Sequence, residues 1–147
     1  PVEAAQFLKG TGFEGKVFCH GRFGGYLLWQ LHPNVRVRAD GRFNVEPSVM
    51  EDVNFVFANH RTQHEAPEIA AKITSIYNKY EVDALVLERP GFGPGQLNCR
   101  EWFPLQRTRS TEVYVRATPK NVAWMKAEGL RPTNFGDCNV GATPPGD

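Results

Sequence analysis

The stretch KVFCHGRFGGYLLWQLHPNVRVRAD, residues 16–40, decides the fold. Residues 16–20 read as a buried strand, with Val17, Phe18 and Cys19 consecutive and no helical period. Residues 24–31 put Tyr26, Leu27 and Leu31 on one side of a helix, which His32, Pro33 and Asn34 then stop. Residues 35–40 alternate Val35, Val37 and Ala39 against Arg36, Arg38 and Asp40, the period of a strand with one wet face or edge. Together these predict a strand-helix-strand unit, with a right-handed crossover if the two strands are parallel neighbours.

Working outward, residues 2–9 suit a short amphipathic helix built on Val2, Ala5 and Leu8 and closed by Gly10 and Gly12. Pro47 opens a helix that ends near His60 and carries Met50, Val53, Val56 and Phe57 inward. Residues 68–80 space Ile69, Ile73, Ile76, Tyr77 and Tyr80 along one helical stripe. Residues 84–87 read as an interior strand, and the Gly- and Pro-rich segment 89–95 must be a loop. Residues 102–106 and 112–117 predict an antiparallel hairpin, and residues 119–128 a last helix. The prediction is an α/β fold: a mixed, mainly parallel sheet of about four to five strands, helices packed on it in a three-layer arrangement, and a C-terminal hairpin. Residues 1–128 form one domain in this reading, and residues 129–147 an irregular tail rich in Gly, Pro, Asn and Thr.

Composition narrows the function classes. At 147 residues and 41% apolar, the chain has room for one packed core. Seventeen basic and sixteen acidic residues nearly cancel without a basic run, so nucleic acid is not expected as a partner. No apolar stretch reaches the roughly 20 residues of a membrane span. The three cysteines, Cys19, Cys99 and Cys138, lack metal-ligand spacing and leave room for one disulfide and one thiol. Beginning at Pro1 without a methionine or signal peptide, the chain is expected to be a trimmed product or part of a larger protein.

Four places invite chemistry. Residues 20–26 with Asp40 suggest a dinucleotide turn, but the glycines read G-x-x-G-G and Arg22 and Phe23 put bulk where a pyrophosphate would approach, so a tight turn for close packing is expected instead. His60 and His64 stand four apart but offer no third ligand, so a solvated pair is expected and no metal. Cys19 and His20, as strand neighbours, point to opposite faces, and Cys19 reads as buried. Trp29, Trp102 and Trp124 are expected in the core or at its margin. Asp40, Arg42 and Asn44 put an acid, a base and an amide at the carboxyl end of a parallel strand, where open α/β sheets bind ligands, with Arg22 on the same edge. An Asp40 that caps its own turn beside a solvated Arg42 stands as the equal alternative.

The order of these pieces resembles a known family. A helix ending in "FL", then "GKVFCHGRFGGYLLWQLHPNVRVRADGR", "YNKYEVDALVLERP", a Trp-led strand and "EVYVR" are similar to the soluble C-terminal domain that follows the membrane spans of polytopic GT-C-type glycosyltransferase-like proteins. The likeness covers about residues 1–116, by order of elements more than by identity. The family's first junction commonly reads Asp-Trp-Gly-Gly-Tyr-Leu-Ile-Trp, followed by a strand ending Asp-Gly-Arg; residues 23–29 and 40–42 keep that frame. More distantly, the junction is similar to the WWDYG segment of the oligosaccharyltransferase catalytic subunit, which helps to recognise the acceptor peptide. Arg22 stands where both patterns have an Asp.

The resemblance implies an extracytoplasmic domain, periplasmic or extracellular, without catalysis of its own, since the family's acidic catalytic residues lie on loops between membrane spans. It implies that the turn at Gly24 and Gly25 and the edge at residues 40–42 face the membrane-embedded part or a substrate; together with the strand-end reading, the candidate substrate contacts are Arg22, Gly24, Gly25, Tyr26, Asp40, Arg42 and Asn44. Its partners would be the membrane-embedded part of the parent chain and a glycan or peptide acceptor, with no cofactor. Two readings from other classes stand beside it: a free-standing nucleotide- or sugar-phosphate-binding protein, and a protein-interaction module.

Overall fold

Alternating burial builds the sheet. In the computed structural model, which describes residues 1–38, 46–60, 62, 65–89, 97–98, 100–133 and 138–139, strand β1 (Gly15–Cys19) sends Val17 and Cys19 to one face and Phe18 to the other. Strand β3 (Ala84–Glu88) does the same with Ala84 and Val86 against Leu85 and Leu87. Both faces of these strands are apolar because both are covered.

The five-stranded sheet has the order β2-β1-β3-β6-β5, with β2 (Val35–Arg38), β5 (Trp102–Arg107) and β6 (Thr111–Arg116) completing it. Strand β1 lies between β2 and β3 and is parallel to both, whereas β3–β6 and β6–β5 are antiparallel. The fold is therefore a mixed α/β domain whose parallel part carries a hairpin on one side. Helices α1 (Val2–Gly10), α2 (Gly21–Leu31) and α5 (Pro119–Ala127) cover the face holding Val17, Val86 and Val113. Helices α3 (Pro47–Asn59) and α4 (Pro67–Lys79) cover the face holding Phe18, Leu85 and Tyr114.

Each helix docks by the stripe its spacing provides. Helix α4 buries Ile73, Ile76 and Tyr77, with Tyr80 following. Helix α2 buries Phe23, Leu27 and Leu31 and begins at Gly21, three residues before the expected start: burial of Phe23 outweighs the cost of the glycines at 24 and 25. Helices α3 and α4 are also tied by Asp52, which accepts from Lys79 Nζ at 2.9 Å and from the Tyr80 hydroxyl at 2.6 Å. These two bonds hold the Asp52 carboxyl below its ordinary range.

Strand β7 (Cys138–Asn139) pairs in parallel with β4 (Leu97–Asn98), forming a separate two-stranded ladder. Leu130 also packs against the core, and Thr133 N–H donates to Pro104 O at 2.7 Å.

At the amino edge of the sheet, Asp83 joins several elements. Its N–H donates to Lys16 O at 2.8 Å, its carboxylate accepts Lys16 N–H at 2.9 Å, and its carbonyl accepts Arg116 N–H at 2.7 Å. Gly15, at φ +151, allows this approach, since a Cβ there would stand 2.5 Å from the Asp83 carboxylate oxygen. Gly15→Ala should therefore lower unfolding stability by about 1–3 kcal/mol in a urea titration, and an unchanged midpoint would contradict the packing described.

Candidate functional site

The chain leaves β1 through α2 on one face and reaches β3 through α3 and α4 on the other. The connections thus diverge between the carboxyl ends of β1 and β3, the place where open α/β sheets form a binding crevice.

His20 stands at that divergence as the N-cap residue of α2, its carbonyl accepting Phe23 N–H at 2.9 Å. The Glu88 N–H donates to His20 Nδ1 at 3.2 Å, so the neutral ring carries its proton on Nε2. Its ring stacks on Phe57 with centroids 4.0 Å apart, and His60 meets it edge-on at 6.1 Å. His60, expected in a solvated pair, is instead buried, because the end of α3 closes over Phe57 and His20. Its Nδ1 lies 3.0 Å from Phe57 O, which can only accept, so that nitrogen carries the proton. His64 lies outside the described residues, and no group of metal-binding side chains occurs among the described ones.

On the α2 side of this divergence, Arg22 pairs with Glu88 and lies 5.3 Å from the Phe23 ring centroid. On the α3 side, Glu112 of β6 is 1% exposed. Arg107 donates to its Oε1 from Nε at 3.0 Å and from Nη2 at 2.8 Å. Arg89 Nε is 3.7 Å from the same oxygen, and Arg89 Nη1 donates to Thr108 O at 3.0 Å. The Tyr114 hydroxyl donates to Oε2 at 3.0 Å, and burial, reinforced by Glu112, pushes its pKa well above the ordinary value. Tyr114 is therefore held as a protonated donor.

Of the candidate substrate contacts, Arg22 lies at the divergence of the connections, Gly25 is exposed on α2, and Tyr26 is half-buried with its ring 6.1 Å from that of Trp29. Gly24 is buried among the core residues of α2. Asp40, Arg42 and Asn44 lie outside the described residues, as do Cys99 and the loop at 91–95. Cys19 is buried. Trp102 is buried and Trp124 donates its Nε1–H to Thr11 O at 2.7 Å, but Trp29 is 75% exposed, a correction to its expected place in the core or at its margin. The buried stripe of α2 runs through Phe23, Leu27 and Leu31, which turns position 29 outward.

Sequence reasoning missed the Glu112 cluster. A signal existed: Glu112 shares the face of Tyr114 in an otherwise apolar strand, and a charge there requires a partner, which Arg107 supplies across the hairpin.

Comparison with models of known protein families, with curated proteins and with solved structures finds no match.

Gly25 sits at an exposed interior position of α2, where alanine would be the better helix former. Gly25→Ala should raise stability by about 0.4–1 kcal/mol in chemical denaturation, whereas a loss would show that the position is crowded.

Proposed function

We propose that this chain is the soluble, extracytoplasmic recognition domain of a membrane glycosyltransferase-like protein. It performs no transfer of its own and helps hold a glycan or peptide acceptor against the membrane-embedded part of the parent chain. The observation that carries this reading is the position of residues 23–29, the core of the resemblance. They belong to the helix that begins at the carboxyl end of β1, beside the junction where His20, Arg22 and Glu88 meet. Open α/β sheets bind ligands at that point.

The chemistry of this junction suits recognition. The half-buried ring of Phe57, stacked on His20, offers an aromatic surface, and the Arg22–Glu88 pair offers both donors and acceptors. No helix among the described residues is long and apolar enough to cross a membrane, so in this reading the spans belong to a longer polypeptide. Arg89 and Arg107 on the same edge favour a second reading, a free-standing sugar-phosphate-binding protein.

The two separate on the native chain. An antibody raised against this domain should detect, in fractionated source cells, a band much larger than 16.5 kDa in the membrane fraction. External protease should remove the epitope from intact cells or spheroplasts. A soluble band near 16.5 kDa would overturn the proposal in favour of the second reading.

A further inference from the structure

We propose that the amino edge of the sheet carries a recess for a small soluble oxyanion, a phosphate or carboxylate compound, held by Arg36 and Lys120 with help from Lys16. The inference goes beyond the recognition reading, which concerns the opposite edge.

The recess has a volume of about 340 Å³, a size that suits a small molecule. Gly15, which has no side chain, leaves it open beside the Asp83 carboxylate. Three cations and two acids line it: Lys16, Arg36 and Lys120 against Glu81 and Asp83. With every one of these groups charged near neutral pH, the lining carries a net positive charge.

Strand register brings two of the cations together. Lys16 of β1 is paired with Arg36 of β2, so both side chains leave the sheet on the face opposite Val17 and Val35. Like charges side by side on neighbouring strands repel, and an anion bound between them relieves that repulsion. Lys120, in the first turn of α5, reaches the same recess from the other layer.

The two acids do not serve all three cations. Asp83 is engaged at both oxygens: Oδ2 accepts Lys16 N–H at 2.9 Å, and Oδ1 accepts Asn121 Nδ2 at 3.4 Å. Glu81 meets Lys16 Nζ at 3.2 Å, but 78% of its side chain is exposed, so it can turn into water and yield Lys16 to an arriving anion. The Arg36 and Lys120 side chains are exposed and make no hydrogen bond or ion pair among the described residues. The planar fork of Arg36 matches two oxygens of a phosphate or carboxylate, and Lys120 adds a point charge.

The test uses purified wild type, Arg36→Gln, Lys120→Gln and the control Lys126→Gln, which removes the same charge from an exposed position of α5 outside the recess. Each is first shown to be folded by its thermal melt. Pyrophosphate and citrate are titrated calorimetrically at low salt. Saturable binding of at least one is expected, weakening with added sodium chloride, unchanged in Lys126→Gln, and reduced at least about fivefold in both Arg36→Gln and Lys120→Gln. Binding of pyrophosphate alone would assign a phosphate compound, and binding of citrate alone a carboxylate. Saturable binding of neither, wild-type affinity in Arg36→Gln or in Lys120→Gln, or an equal loss in Lys126→Gln would overturn the proposal. Because localisation and the carboxyl edge are read separately, that result would leave the membrane-domain reading standing.

Discussion

Asp83 is the residue on which the register of this fold depends. It exchanges two hydrogen bonds with Lys16 of β1, accepts Arg116 N–H at the end of β6, and receives Asn121 Nδ2 of α5 at 3.4 Å. One residue before β3 thus fixes β3 against its neighbours on both sides. A slip of one position would exchange Leu85 and Leu87 with Ala84 and Val86 and turn every large side chain of β3 to the wrong layer. The requirement reaches back to Gly15, where a side chain would occupy the space of the carboxylate.

Register set at the amino edge determines what meets at the carboxyl edge. With Cys19 opposite Val86, the residue after β1 meets the last residue of β3, and His20 Nδ1 accepts the Glu88 N–H. That contact positions the ring on Phe57, while α2 carries Arg22 to the Glu88 carboxylate. The same register on the other side sets Glu112 opposite Leu87 and hence beside Arg89. Structural bonds at one end of the sheet therefore arrange the polar groups at the other.

Much of this was readable from the chain because burial imposes local periods. The stripe of α4, the interior strand β3 and the β5–β6 hairpin were all plain in their spacing. Helix α2 was placed too late because its glycines look like a turn, whereas packing of Phe23 recruits them into the helix. The pair β4 and β7 was unreadable, since two-residue strands have no period to detect. At the site, Arg22 could be anticipated from its place after a strand, but the burial of His60 and the convergence of Arg89 and Arg107 on Glu112 depend on tertiary contacts. The outward turn of Trp29 follows from helical phase once the true start of α2 is known.

In the proposed recognition role, the carboxyl edge is the working surface and the amino edge the scaffold. The most direct measurement places a photoreactive phenylalanine analogue at position 26 on α2, or at position 120 beside Asn121 and the Asp83 junction, in the native chain within its source cells. The account predicts adducts with an acceptor or with membrane-embedded polypeptide from position 26 and none from position 120. Adducts from position 120 alone, or equal yields from both, would contradict it.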